Sequence, residues 1–127
     1  KEIIAGQLPR IQLAGYQKPE PYYESASVFM MPSAYEGFPN TILEAQSYGC
    51  PVIAFDSYAA LRWIVNDTKD AIVSPAYDLD DMANKTITLL KNQDELYRFQ
   101  AAAISNASRF TIDIVGKQWI ELFKTLN

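Results

Sequence analysis

Two continuous apolar runs, at 28–31 and 51–55, are the clearest pattern along the chain. Each run is short and is bounded by proline or polar residues, which is typical of a strand that is buried on both faces. Two weaker segments, at 11–14 and 71–74, predict one further strand before this pair and one after it. The pattern therefore predicts a parallel sheet of short strands.

The segment between the two apolar runs predicts a helix over 41–48, with Asn40 as its N-cap and Gly49 as its end. The unit is then strand, loop, helix and strand. A right-handed crossover of this kind puts the loop 32–40 at the carboxyl edge of the sheet, where open α/β folds bind their ligands.

Further helices are predicted on both sides of this unit. A short one begins at Pro21, and three follow the last strand, with N-caps at Asp78, Asp94 and Thr111. Their apolar stripes predict core-facing helices, and in the last helix the inward residues are Ile112, Val115, Trp119, Leu122 and Leu126. Residues 1–6 predict the end of another helix. The fold class is α/β, a parallel Rossmann-like sheet with helices on both faces.

Composition narrows the functional classes. A chain of 127 residues that is 49% apolar and 20% charged predicts a single domain, 1–127, with its own core. The net charge of −4 comes without a basic cluster, so nucleic acid is not expected as a partner. Because the chain has no histidine and one cysteine, it has no zinc set and no Ser-His or Cys-His arrangement, and we expect no metal and no cofactor.

The apolar runs and the cysteine content also indicate a cellular compartment. No apolar run approaches the roughly 20 residues of a membrane span. The one cysteine, Cys50, cannot form an internal disulfide and is interpreted as a small core residue. A cytoplasmic location is therefore expected, with the full-length protein either free or peripheral to the inner membrane.

The loop after 28–31 carries the candidate chemistry. Glu36 lies in this loop and Glu44 lies one turn into the helix, and side chains of a helix lean toward its N-terminus, so both carboxylates are expected to face one cleft. The first helical amides, with the helix dipole, predict a phosphate site there; they belong to Asn40, Thr41 and Ile42. Gly37 allows close approach of the backbone to a ligand.

These residues resemble the E-x7-E region of GT-B glycosyltransferases, in the large retaining group (glycosyl transferases group 1) that includes glycogen-synthase-like and capsular polysaccharide enzymes. The pattern P-S-x-x-E-G-F-x5-E-A-x3-G-x-P-V-I is made up of Pro32, Ser33, Glu36, Gly37, Phe38, Glu44, Ala45, Gly49, Pro51, Val52 and Ile53. The resemblance extends from about residue 11 to the C-terminus.

The resemblance implies a role for each matching position. Glu36, with the amides of Gly37 and Phe38, would hold the hydroxyls of the donor sugar and act in catalysis, and Glu44 would hold the ribose hydroxyls of the nucleotide. The residues after the first glycine turn, Tyr16 and Gln17, would lie near the base. The alternatives are a solvated loop glutamate, a glutamate that complements the helix dipole, and a surface tyrosine beside a turn.

The resemblance also implies what these 127 residues do not contain. They would be the C-terminal piece of the donor-binding domain, without the basic pair for the diphosphate and without the N-terminal domain that holds the acceptor. We expect no turnover from this piece alone. Strand 11–14 is expected to pair either with 28–31 or with another copy of the chain, since an exposed strand edge invites a homodimer.

The predicted function is the donor-binding part of a glycosyltransferase. The enzyme would move a hexose from a UDP- or GDP-sugar to a saccharide or lipid-linked acceptor, in bacterial surface polysaccharide biosynthesis. Two alternatives stay open: a sugar-nucleotide epimerase of the GT-B fold, and a non-catalytic doubly wound signalling or interaction module. In the adjacent pair Tyr22-Tyr23, one ring is expected to pack on the sheet and the other to cover the surface.

Overall fold

The computed structural model describes residues 10–126. Within that range it contains three strands, six α-helices and one 3₁₀ turn. In chain order these are α1 (Glu20–Ser25), β1 (Phe29–Met31), α2 (Asn40–Ser47), β2 (Val52–Asp56), α3 (Leu61–Ile64), β3 (Ala71–Pro75), α4 (Leu79–Lys91), α5 (Gln93–Ala107), the 3₁₀ turn (Ser108–Phe110) and α6 (Ile112–Thr125). The helix end predicted at 1–6 lies outside the described residues.

The three strands form a parallel sheet in the order β1-β2-β3, so β2 is central. Val52 of β2 lies opposite Phe29 on one side and Ala71 on the other. This register confirms the predicted parallel sheet and its strands near 28–31, 51–55 and 71–74. β1 is an edge strand among the described residues, and its Met30 is 42% exposed, so the expected burial on both faces is wrong there.

The strand predicted at 11–14 is wrong. Residues 11–14 have no regular secondary structure, and the side chains of Ile11 and Leu13 are exposed. In the described part of the chain β1 is bonded to β2 alone, so the expected pairing of 11–14 with 28–31 does not occur. Two apolar side chains bury too little surface to order a strand that has no partner. Pairing with a second copy stays a prediction.

The core lies on both faces of β2, because successive side chains of a strand point to opposite sides. Val52 and Ala54 pack with α2 and α3 in one cluster, which includes the fully buried Ile42 and Leu61. Ile53 and Phe55 pack on the other face with four buried residues of α4 and α5, namely Met82, Leu89, Leu96 and Phe99. Helices on both faces were predicted, and the structure confirms them.

The helix starts after the sheet follow the sequence with one correction. Asp78 caps α4 as predicted, and its carboxylate accepts the amide of Asp81 at 2.9 Å. α5 is capped by Asn92 and not by Asp94, since one residue separates α4 from α5 and the Asn92 side chain accepts the amide of Glu95 at 3.1 Å. Thr111 is the N-cap of α6, without a side-chain bond.

The start of α2 also differs from the prediction, and its end does not. The N-cap is Pro39, so Asn40 is the first helical residue and not the cap. α2 ends at Ser47 with Tyr48 as its C-cap, and Gly49 follows as the predicted stop, with a φ of +72° that a glycine adopts without strain. The amides of Gly49 and Cys50 return to the carbonyls of Gln46 and Ala45, which is a Schellman motif.

α6 does not turn its apolar face into the described core. No residue of α6 is buried. Among the residues expected inward, Trp119 is 55% exposed and Ile112 is 87% exposed, so that prediction is wrong for the part of the chain that the structure describes. An amphipathic stripe shows which face of a helix is apolar, and it does not show what covers that face.

Replacing Gly49 by Ala should destabilise the fold. A Cβ at this position would lie 3.2 Å from Cδ1 of Ile104 and would also have to adopt a left-handed conformation, which costs about 1–2 kcal/mol. Urea unfolding followed by circular dichroism should show a loss of at least that size. The matched control is Gly116→Ala in α6, where a Cβ meets no atom within 4 Å and helix propensity should raise stability by about 0.5–1 kcal/mol. An equal effect of both substitutions would contradict this account.

Candidate functional site

The loop 32–39 lies at the carboxyl edge of the sheet, between β1 and α2. It is held there by the loop that follows β2, since the Ser57 hydroxyl donates to the carbonyl of Ser33 at 2.7 Å. The buried Tyr58 hydroxyl lies 3.5 Å from Sδ of Met31, the last residue of β1. Two consecutive residues of the β2–α3 loop thus fix where the candidate loop begins.

Glu36 is half-buried in this loop. Burial raises the pKa of Tyr58 to about 12, and the negative charge of Glu36 adds to the rise. A negative charge nearby disfavours the ionised form of a tyrosine. The loop that carries Glu36 is thus coupled electrostatically to the loop after β2, to which the bond between Ser57 and Ser33 also joins it.

Glu44 projects from the exposed side of α2 toward α1. The hydroxyl of Tyr23 on α1 donates to Oε2 of Glu44 at 3.4 Å. Both side chains line a cavity of about 260 Å³, whose remaining walls are Pro19, Glu20 and Tyr48. The cavity offers carboxylates, which are acceptors only, and is suited to a ligand that donates hydrogen bonds from hydroxyl groups.

Gln17 lines a neighbouring cavity of about 310 Å³. Its side-chain amide donates to the carbonyl of Ala14 at 3.0 Å, which closes the turn at Gly15, where φ is +67°. Pro19 and Tyr23 line this cavity and the one that contains Glu44, so the two cavities adjoin. Tyr16 is fully exposed and lines neither of them.

Phe38 and Asn40 line a third cavity, of about 630 Å³, between the candidate loop and α6. The Phe38 ring lies 6.4 Å from the ring of Phe110, centroid to centroid. The cavity therefore connects the loop to the 3₁₀ turn that leads into α6.

The first turn of α2 offers fewer free amides than predicted. The Ile42 amide donates to the carbonyl of Pro39 at 3.1 Å, and its side chain is fully buried, so it is not a free donor. Asn40 and Thr41 begin the helix, where amides have no intrahelical acceptor. A Cβ on Gly37 would meet no atom within 4 Å, so there is open space beside the backbone at that point.

The structure thus distributes the predicted residues over several surfaces. It brings Gln17 and Glu44 into adjoining cavities and Phe38 and Asn40 into another. The negative charge of Glu36 contributes to the raised pKa of Tyr58, and Glu44 accepts a hydrogen bond from Tyr23. That Glu36 and Glu44 share one cleft stays a prediction, as do the binding roles of all these residues.

Gln46 holds α2 in place through buried hydrogen bonds, a role that was not predicted from the sequence. This side chain is fully buried in α2; it donates to the carbonyl of Asp70 at 3.0 Å and accepts from Asn106 of α5 at 2.7 Å. The Asn106 amide also donates to the carbonyl of Ile64 at 2.7 Å. The signal in the sequence was a polar residue within the apolar stripe of a predicted helix, which indicates a buried hydrogen-bonded side chain. The network ties α2, and hence Glu44, to α3, α5 and the loop before β3.

Comparison with known proteins identifies the family. Residues 1–92 match the family model described as glycosyl transferases group 1. The chain belongs to this family. The match includes the loop 32–39, α2 and the whole sheet.

Two relatives illustrate the range of the family. The chain is 34% identical over 121 residues to O-antigen chain mannosyltransferase B of Escherichia coli, covering 91% of this chain and 30% of the relative. It is 31% identical over 106 residues to the amylovoran biosynthesis glycosyltransferase AmsD of Erwinia amylovora, covering 80% and 28%. The chain spans between 11% and 31% of the length of the first curated relatives that it matches.

The fold is also that of solved glycosyltransferases. Anabaena Alr3699/HepE, whose structure was determined in complex with UDP-glucose, superimposes with a TM-score of 0.83 at 20% identity, over 92% of this chain and 33% of that one. The α/β sheet described above is therefore part of a GT-B fold. Within residues 10–126, none of the helices has both the length and the apolar character needed to cross a lipid bilayer.

The raised pKa of Tyr58 predicts a loss of stability at high pH. Because the pKa of an unfolded tyrosine is about 10 and that of folded Tyr58 is about 12, the folded state holds this proton more tightly. The stabilisation is complete below about pH 10 and is lost as the pH rises toward 12, by up to about 2–3 kcal/mol for a shift of this size. Urea unfolding at pH 8 to 11 should show the decline, and Tyr58→Phe should reduce it. Tyr35→Phe, at a position that is 82% exposed, should leave it unchanged.

Proposed function

We propose that this chain is the donor-binding part of a glycosyltransferase that moves a hexose from a nucleotide diphosphate sugar to a saccharide or lipid-linked acceptor. The observation that carries the proposal is the position of Glu44, which lines a cavity from α2, the helix that directly follows the loop carrying Glu36. In a member of the group 1 family, an acceptor-only side chain that lines a cavity supports a site for a nucleotide sugar, which has many hydroxyls.

Glu36 and Glu44 would recognise different parts of the donor. A carboxylate accepts charge-assisted hydrogen bonds from two neighbouring hydroxyls at once, so each glutamate suits a vicinal diol. We assign Glu44 to the ribose and Glu36 to the transferred sugar. The cavity at Gln17 adjoins that of Glu44, which supports a place for the base near Gln17 and Tyr16.

The diphosphate would lie between the two glutamates, against the start of α2. The helix dipole and the first-turn amides of Asn40 and Thr41 favour a negative group there. The open space beside Gly37 supports close approach of a ligand to the amides of Gly37 and Phe38. Arg62 is engaged by Asp56, with Nε 3.1 Å from Oδ1, so we expect the charge of the diphosphate to be neutralised mainly by basic residues elsewhere in the enzyme.

In the transfer step, the bond between the anomeric carbon and the diphosphate oxygen breaks, and the acceptor hydroxyl forms a new bond to that carbon and loses its proton. The leaving group is the nucleoside diphosphate. We propose retention of the anomeric configuration from the resemblance to the retaining group. The O-antigen and amylovoran relatives support a place in bacterial surface polysaccharide biosynthesis, and the UDP-glucose complex of HepE supports a nucleotide hexose donor.

Donor binding should be detectable by ligand-observed NMR. In saturation-transfer difference spectra recorded with UDP-glucose, UDP-N-acetylglucosamine and GDP-mannose, we expect at least one nucleotide sugar to receive saturation at its ribose protons. The signal should be displaced by the corresponding nucleoside diphosphate. ATP serves as a control for non-specific binding of nucleotides, and equal saturation of all ligands would argue against a donor site.

Replacing Glu44 and Glu36 by Gln, one at a time, should change different kinetic constants. In the enzyme that contains this chain, Glu44→Gln weakens charge-assisted bonds worth about 1.5–3 kcal/mol each, so donor KM should rise by about tenfold or more with a smaller loss in kcat. Glu36→Gln should lower kcat chiefly, because the hydroxyls it orients belong to the sugar whose anomeric carbon becomes cationic. Steady-state kinetics with varied donor and saturating acceptor measure both effects.

The matched control is Glu24→Gln, which changes an exposed glutamate of α1 that does not line the Glu44 cavity. It should leave both constants near their normal values. If Glu36→Gln and Glu44→Gln behaved like this control, the two glutamates would be a surface loop residue and a helix-start residue without a role in the reaction.

A further inference from the structure

Tyr23 is the tyrosine of the Tyr22-Tyr23 pair that packs inward, as predicted: it is 8% exposed, whereas Tyr22 is 49% exposed. Its ring lies edge-on to Phe29 of β1, with centroids 5.8 Å apart and an interplanar angle of 86°. On another side, the ring of Tyr48 lies 6.0 Å away. Since Tyr48 is the C-cap of α2, the Tyr23 ring is held between the edge strand and the helix that carries Glu44.

A fixed ring gives a fixed hydroxyl. Tyrosine has two side-chain torsions, and packing on two sides of the ring leaves the hydroxyl little freedom to move. This hydroxyl donates to Oε2 of Glu44 at 3.4 Å. Burial, and then the charge of Glu44, raise the pKa of Tyr23, so the hydroxyl keeps its proton and acts as a donor at neutral pH.

Glu44 has no such restraint of its own. Its side chain is exposed on α2, and a free glutamate samples many rotamers, whose restriction on binding costs free energy. The bond from Tyr23 engages Oε2 and leaves Oε1, with further lone pairs of Oε2, for a ligand in the cavity. The distance exceeds the roughly 2.7 Å of a strong hydroxyl–carboxylate bond, so the carboxylate can still shift toward a ligand.

We propose that Tyr23 is a positioning residue for Glu44: it orients the carboxylate so that a vicinal diol of the bound nucleotide meets both oxygens in the cavity. This inference rests on the proposed function and adds a second residue to ribose recognition. It assigns to Tyr23 a contribution to binding of the nucleotide half of the donor and none to the chemical step, which occurs on the sugar.

Competitive inhibition of the full-length enzyme by nucleoside diphosphates tests the proposal. UDP is compared with 2′-deoxy-UDP, and GDP is compared with 2′-deoxy-GDP in parallel. Within each pair, the ratio of the two inhibition constants measures how much the ribose diol contributes to binding. A lowered folded fraction raises both apparent inhibition constants by the same factor, which cancels in their ratio, so a variant with lowered stability still gives a valid ratio. Tyr23→Phe removes the hydroxyl and keeps the ring.

We expect Tyr23→Phe to reduce the discrimination between ribose and deoxyribose by about three- to tenfold, the effect of losing one ordinary hydrogen bond, since the 3.4 Å separation is long for a bond to a carboxylate. Donor KM should rise by a similar factor and kcat should stay the same. In an enzyme that already carries Glu44→Ala, the same change should have no further effect on the ratio, because the carboxylate that Tyr23 orients is gone. Tyr97→Phe, at an exposed tyrosine of α5 that lines neither the Glu44 cavity nor the Gln17 cavity, is the control and should match the parent enzyme.

Two results separate the inference from the proposed function. If Glu44→Ala lowers the discrimination and Tyr23→Phe does not, or if Tyr23→Phe changes kcat alone, Tyr23 is a packing residue and the inference is overturned while the ribose role of Glu44 stands. If Glu44→Ala itself keeps the full discrimination, the assignment of Glu44 to the ribose is wrong, and the inference fails with it.

Discussion

The position of the candidate site depends on one buried side-chain amide, that of Gln46. An amide taken out of water must recover its hydrogen bonds, and Gln46 does so by bonding to the carbonyl of Asp70 and to Asn106. These partners lie 24 and 60 residues further along the chain. Because the bonds are directional, they fix the rotation of α2 about its axis more narrowly than apolar packing would. Glu44 lies two residues earlier on the same helix, so the rotation of α2 also determines the direction in which the Glu44 side chain leaves the helix.

The central part of the fold could be predicted from the sequence because local and long-range signals agree there. The apolar run at 51–55 needs two covered faces, and it has them; Gly49 is required by a positive φ, and Asp78 caps a helix with its own side chain. Predictions failed where the deciding factor lies outside the segment. Within residues 10–126, no strand lies beside 11–14. The choice between Asn92 and Asp94 as a cap depended on where α4 ends.

In the candidate site, too, local features were predictable from the sequence and long-range contacts were not. Sequence spacing placed Glu36 in a loop at the carboxyl edge and Glu44 on the following helix, and the structure has both there. The sequence could not show that the Tyr23 hydroxyl bonds to the Glu44 carboxylate, since Tyr23 is 21 residues before Glu44 in the chain. Nor could it show that Pro39, which has no side-chain acceptor, would replace Asn40 as the cap and leave the Ile42 amide bonded to its own loop.

The Schellman motif at Gly49 has a consequence for how such chains can vary in length. Only 48–51 separates the last residue of α2 from the first residue of β2, and the amides of Gly49 and Cys50 are both bonded back to the helix. An inserted or deleted residue there would break the motif or shift the register of β2. The loop 32–39, at the opposite edge of the sheet, is bonded at Ser33 and Pro39, near its two ends, and among the described residues no hydrogen bond holds 34–38 between them. An inserted or deleted residue in 34–38 would therefore disturb the sheet less than one in 48–51, so chain length can vary more easily at the carboxyl edge than at the return from α2 to β2.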